Sequence, residues 1–70
     1  MILRIKDTRI NMKLVAAWDW YGLELSNKLS YSFRFYINDA NPLVISGLEE
    51  HLFHAALAKL IEWELNEGML

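Results

Sequence analysis

The sequence predicts an α+β fold: a three-stranded antiparallel β-meander, with room for a short fourth strand, packed on one face by a single C-terminal α-helix. Three observations predict it. Apolar residues alternate with polar ones along residues 10–20 and again along 29–37. The stretch "DANPL" then interrupts the alternation. From residue 47 onward apolar residues recur at three- and four-residue spacing, the period of an amphipathic helix.

The first strand is expected at about residues 2–6. Leu3 and Ile5 share a face with Ile10 and Met12 if Asp7-Thr8 forms a tight turn, which sets Lys6 against Arg9. The second strand is expected over about residues 10–25. Its even positions Ile10, Met12, Leu14, Ala16, Trp18 and Trp20 are all apolar, whereas the odd positions beside them include Arg9, Asn11, Lys13 and Asp19. Past Gly22 the apolar residues Leu23 and Leu25 fall on odd positions. One residue of slip turns every side chain to the other face, so a β-bulge is expected near residues 21–22, with glycine as its natural occupant.

A three-residue loop, Ser26-Asn27-Lys28, then closes a hairpin onto a third strand at about 29–38. This register pairs Leu25 with Leu29, Leu23 with Tyr31, Trp20 with Phe33, Trp18 with Phe35 and Ala16 with Ile37 on one face. Asp19 stands opposite Arg34 on the other. The cluster Trp18-Asp19-Trp20-Tyr21 therefore reads as folding code rather than a ligand site.

Pro42 ends any strand, and Leu43–Ile45 either forms the short fourth strand or packs over the core. Ser46-Gly47-Leu48-Glu49 has the spacing of a capping box, which starts the helix at about residue 47; the helix runs to about 67 and stops at Gly68.

Seventy residues make one domain, 1–70. The absence of cysteine excludes disulfides and thiolate zinc sites. A 54% apolar content argues against disorder. The longest unbroken apolar run, Leu14 to Trp18, is far too short to span a membrane, and the charged start "MILRIKDTR" lacks a secretory leader. The chain reads as a complete cytoplasmic protein with no membrane association.

Two surfaces are candidates for function. On the helix, one apolar ridge (Leu48, Leu52, Ala56, Leu60, Trp63) is expected to face the sheet. A second ridge, Phe53, Leu57, Ile61 and Leu65, is expected to stay partly uncovered, joined by Met69 and Leu70. That ridge suits a homodimer. Glu62, Glu64 and Glu67 at the helix end, unfavourable against the helix dipole, suit a basic protein partner.

The other surface is the outer face of the sheet. Residues 1–38 hold six Lys/Arg against three acids, and alternation places Arg4, Lys6, Arg9, Lys13, Arg34 and Tyr36 on that face, with Asn38 beside them. Cations and aromatics so arranged suit nucleic acid, although the net charge of −2 is not that of a strongly basic binder.

His51 and His54, with Glu50 nearby, read as helix-surface residues rather than metal ligands. No nucleophile, phosphate-loop or metalloprotease motif is present. The sequence thus points to a non-enzymatic protein-interaction module of the inhibitor, immunity or adaptor type, homodimeric through the helix and needing no cofactor. A nucleic-acid-binding protein using the sheet face is the alternative.

Overall fold

The computed structural model describes residues 1–37 and 41–68. The fold is α+β. Strands β1 (Ile2–Ile5) and β2 (Thr8–Asn11) form a two-stranded antiparallel sheet. Strands β3 (Ala17–Leu25), β4 (Lys28–Tyr36) and β5 (Leu43–Leu48) form a three-stranded antiparallel meander, followed by helix α1 (Glu50–Trp63). A π-helical turn, Glu64–Gly68, carries the helical run to the expected stop at Gly68. The predicted end of the third strand at Asn38, and Met69 and Leu70, lie outside the described residues.

The long strand expected over 10–25 is broken. The Asn11 side chain accepts a hydrogen bond from the Lys13 N–H, and Met12–Leu14 closes a 3-10 turn through Val15 N–H to the Met12 carbonyl. Asparagine offers the backbone such a local partner and so competes with the ladder. Residues before the break join the two-stranded sheet; those after it begin the meander, where the Ala16 N–H donates to the Tyr36 carbonyl. Met12 nevertheless stays fully buried. The alternation thus reports burial correctly at Ile10 and Met12 and fails past the break, where Leu14 and Ala16, expected inward, are exposed.

The first hairpin turns at Lys6-Asp7, one residue earlier than expected. Ile5 then pairs with Thr8, Leu3 with Ile10, and Arg4 with Arg9. Lys6 takes a left-handed conformation (φ 53°), and its ammonium donates to the Ser46 and Gly47 carbonyls.

No bulge occurs at Tyr21-Gly22. The β3–β4 register is continuous from Ala17↔Tyr36 to Leu25↔Lys28 and closes through a two-residue turn, Ser26-Asn27. Both turn residues have positive φ (52° and 64°), the type I′ pattern that matches strand twist. A shorter loop without a bulge gives the same pairing beyond residue 22 as a longer loop with one. The expected pairs Trp18–Phe35, Trp20–Phe33 and Asp19–Arg34 therefore form, whereas Leu25–Leu29 and Leu23–Tyr31 are replaced by Leu25–Lys28 and Gly22–Tyr31. Leu23 and Leu25 consequently share the face of Asp19 and Tyr21 and are exposed.

The bulge lies instead in β5. Tyr31 faces Leu48 and Phe33 faces Ile45, so β5 spends one extra residue there, and Gly47 sits at φ +71°. Ser46 and Gly47 therefore belong to a strand. The helix begins at Glu50 with Glu49 as its N-cap and no side-chain capping bond, in place of the expected box. The β-branched pair Val44-Ile45 favours strand at this point.

One core joins all the elements: Leu3, Ile5, Ile10 and Met12 from the small sheet and its turn, Phe33, Phe35, Ile45 and Leu48 from the meander, and Phe53, Ala56 and Leu60 from the helix. Beyond Tyr31, the β3–β4 hairpin extends past the end of its pairing with β5. Residues 22–29 are exposed, and the molecule is elongated, 41 Å by 25 Å by 21 Å.

Gly47→Ala places a Cβ on a left-handed residue and is expected to destabilise by about 1–2 kcal/mol. Gly22 has ordinary strand geometry, and an added Cβ meets Leu29 at 3.6 Å and Tyr31 at 3.7 Å, normal contact distances. Gly22→Ala should therefore be neutral or stabilising, by up to about 0.5–1 kcal/mol. Urea midpoints of the two variants check this; the reverse order contradicts the position of the bulge.

Candidate interaction surfaces

Helix rotation decides which apolar residues remain free. Phe53, expected on the uncovered ridge, is 1% exposed and is the main contact between helix and sheet. Its ring stacks on Tyr31 at 4.2 Å and Phe33 at 5.1 Å and meets Trp20 at 4.9 Å. Leu57 is half-buried against the core. Of the expected ridge only Ile61 and Leu65 are open, Leu65 at 66%. On the ridge expected to face the sheet, Ala56 and Leu60 are buried and Trp63 is half-buried, whereas Leu52 is exposed.

The difference has a simple cause. An i+4 row fixes which residues align but not where the inward arc is centred, and α1, apolar over a wide arc, turns Phe53 in beside Ala56 and Leu60 and leaves Leu52 out. The acidic end is exposed as expected at Glu62, Glu64 and Glu67, but Glu67 accepts a hydrogen bond from the Trp63 indole N–H at 3.1 Å. That bond gives Glu67 a local role within the chain.

The cations do not form one sheet face, because the sheet is two sheets. Arg4 and Arg9 stand directly opposite each other on the β1–β2 ladder, both exposed, and neither has an ion-pair partner among the described residues. Lys13 is exposed on the 3-10 turn. Lys6 is turned toward the β5 bulge. Between β1 and α1, Arg4, Lys6 and Lys59 line a small cleft of about 90 Å³ floored by Ile5 and Ala56. Lys59 was absent from the sequence-derived face, since only the packing of α1 on β1 brings it there.

Arg34 and Tyr36 belong to a separate cluster on the outer face of the meander. The Arg34 guanidinium makes a two-pronged pair with Asp19, Nε to Oδ1 at 2.7 Å and Nη2 to Oδ2 at 2.5 Å, and lies over the Tyr21 ring at 5.1 Å. Hydrogen bonding to Arg34 holds the Asp19 carboxyl below the ordinary value of 3.8, against a modest desolvation in the other direction, with further help from the Arg34 charge and the Tyr36 hydroxyl. Arg34 is raised by the same contact. A guanidinium so engaged is poorly placed to bind phosphate.

The histidines pair separately: His51 Nδ1 lies 3.4 Å from Glu49, and His54 Nε2 lies 3.5 Å from Glu50, ion pairs only when the imidazoles are protonated. Among the described residues no three metal-ligating side chains converge. A shallow groove of about 340 Å³ runs between the start of β3 and the helix end, lined by Val15, Ala16, Ala17, Trp18, Trp63 and Glu64. The Trp18 indole N–H is buried without a hydrogen-bond partner among the described residues.

The surface that sequence reasoning missed is the end of the β3–β4 hairpin. Trp20, Tyr21, Leu23, Leu25 and Leu29 are all exposed there, Leu25 at 63%. The signal was the phase change at Gly22, which was resolved by a bulge when it in fact marks apolar residues on both faces of a projecting ribbon. No described helix is long and apolar enough to cross a membrane. No protein-family profile, curated protein or solved structure matches the chain.

Two outcomes follow from these placements. Phe53→Ala should cost about 3–5 kcal/mol of stability, whereas Leu65→Asp should stay within about 0.5 kcal/mol of wild type; denaturant titration of both checks the helix rotation. Because the Asp19 carboxyl is depressed in the folded state, its contribution to stability is present above the unfolded-state value and is lost as pH falls through the folded one. Carbon-13 NMR should find its midpoint below 3.8 and returned toward that value in Arg34→Gln.

Proposed function

We propose that this chain is a non-enzymatic protein-interaction module of the inhibitor, immunity or adaptor type. The observation that carries the reading is the exposed apolar end of the β3–β4 hairpin, Trp20, Tyr21, Leu23, Leu25 and Leu29. Apolar surface clustered in this way on a small protein, Tyr21, Leu23 and Leu25 on one face of the ribbon and Trp20 and Leu29 on the other, marks a contact site. Trp20 joins it to Phe53 of the core, but pairing with β5 ends at Tyr31, so Leu23, Leu25 and Leu29 project beyond the described elements that could cover them. The helix edge, with Ile61, Leu65, Glu62 and Glu64 exposed, offers a smaller second surface and suits a basic protein.

A second reading, nucleic-acid binding, draws on a different observation. Arg4 faces Arg9 across the ladder without a compensating acid among the described residues, and Arg4, Lys6 and Lys59 converge on one cleft. Like charges directly opposed destabilise a ladder, and a phosphate backbone would relieve them.

Affinity capture from nuclease-treated extract of the source cell separates the two. The first reading expects wild type to retain a stoichiometric protein that Leu23→Lys/Leu25→Lys loses and Arg4→Glu/Arg9→Glu keeps. Retention unaffected by the leucine changes would overturn it. Oligonucleotide binding that weakens steeply between about 20 and 200 mM salt, and disappears in Arg4→Glu/Arg9→Glu, would establish the second.

A further inference from the structure

Strand β3 is an edge of the meander: β4 lies on one side, and no described strand pairs with the other. The strand is nine residues long and unbroken. The two-residue turn makes Leu25 and Lys28 the hydrogen-bonded closing pair, and hydrogen-bonded and open pairs alternate from there. Leu23, Tyr21, Asp19 and Ala17 therefore direct their main-chain groups to β4. Trp18, Trp20, Gly22 and Glu24 direct theirs outward.

Natural proteins guard such an edge with lysine, proline, a bulge or a short strand. Ala17–Leu25 has no lysine, proline or bulge, and its only charges are the acids Asp19 and Glu24, of which Asp19 is paired with Arg34. The opposite edge, β5, has six residues and is kinked at Gly47. A long edge so lightly guarded, with exposed apolar residues on both faces, is suited to pairing with another strand.

We propose that β3 pairs antiparallel with β3 of a second copy of this chain, joining two three-stranded sheets into one of six strands. The inference rests on the interaction-module reading and names its partner. A two-fold axis perpendicular to the sheet keeps each face continuous across the junction, so residues of the same parity meet. With the axis at Gly22, Tyr21 of each copy stands opposite Leu23 of the other, and Trp20 opposite Glu24. Aromatic–aliphatic cross-strand pairs of this sort are favourable.

Charge permits the pairing. The two acids of the strand, Asp19 and Glu24, lie on opposite faces, and in this register neither meets its own counterpart or the other. Asp19 is already neutralised by Arg34 and meets Leu25 of the second copy. Gly22 at the axis leaves the close approach of the two backbones unobstructed.

The exposed parts of Trp20, Tyr21, Leu23 and Leu25 on the edge strand itself amount to on the order of 400 Å² per copy. That is below the roughly 800 Å² per partner of a standard stable interface. The dimer is accordingly reversible and concentration-dependent.

The test uses sedimentation and cysteine cross-linking on the full chain, which has no native cysteine. Wild type should rise from 8.2 kDa toward twice that mass as concentration increases. Glu24→Pro, which deletes an outward N–H without touching the β4 ladder, should hold it at monomer mass with an unchanged circular dichroism spectrum. Gly22→Cys should cross-link on mild oxidation, because opposed Cα atoms about 5.5 Å apart lie within disulfide range. Leu65→Cys, on the helix, should not.

A mass of 8.2 kDa at every concentration would overturn the inference while leaving a foreign protein partner open. A dimer that cross-links through Leu65→Cys and not Gly22→Cys would overturn it in favour of the helix.

Discussion

The contact on which the rest of the structure depends is the packing of Phe53 against the aromatic face of the meander. Its ring lies within 5.1 Å of three others, Tyr31, Phe33 and Trp20. A chain this short has one core to spend, and below about 80 residues such a core is marginal. Seating one aromatic ring among three fixes the rotation of α1. That rotation then determines everything the helix offers elsewhere: Ala56 and Leu60 go inward, Leu57 and Trp63 to the margin, and Leu52, Ile61 and Leu65 to solvent.

The small sheet depends on the same seating. A lone two-stranded hairpin is at best marginally stable in water, and β1–β2 additionally opposes Arg4 to Arg9. It holds because Leu3, Ile5 and Ile10 join the common core and because Lys6 ties its turn to the carbonyls of the β5 bulge. The left-handed Lys6 and the left-handed Gly47 thus lie against each other, joined by one ammonium group. What the core does not reach is the projecting hairpin and its open edge, the surface proposed for binding.

Much of the fold was legible in the residues. Alternation along 29–37 identified β4 and its core face, and the pairing of Asp19 with Arg34 followed from matching apolar positions across the hairpin. That pairing survived two errors that cancel, a loop one residue too long and a bulge that is not there. What the sequence withheld was local. Asn11 could have signalled the 3-10 interruption through its capping chemistry. Gly47 had two competing uses, a helix N-terminus and a bulge, and only the ladder with β4 selects the second. The hairpin surface was hidden because Leu23 and Leu25 were assumed to be inward, as apolar residues in strands usually are. On the helix, Ala56 and Leu60 go inward and Ile61 and Leu65 stay open as expected, but Phe53 and Leu52 exchange places, since periodicity along one element does not fix its exact rotation against another.

The central claim is that one Phe53-centred core holds both sheets and the helix, with the hairpin end outside it. Native-state amide hydrogen exchange on dilute protein tests this most directly. The account predicts that the slowest amides are those of Phe33 and Phe35 in β4 and Phe53 to Leu60 in α1, exchanging through one common opening, with Leu23 to Lys28 faster by orders of magnitude. Helix amides that exchange independently of β4, or hairpin-end amides protected as strongly as those of Phe33, would contradict it.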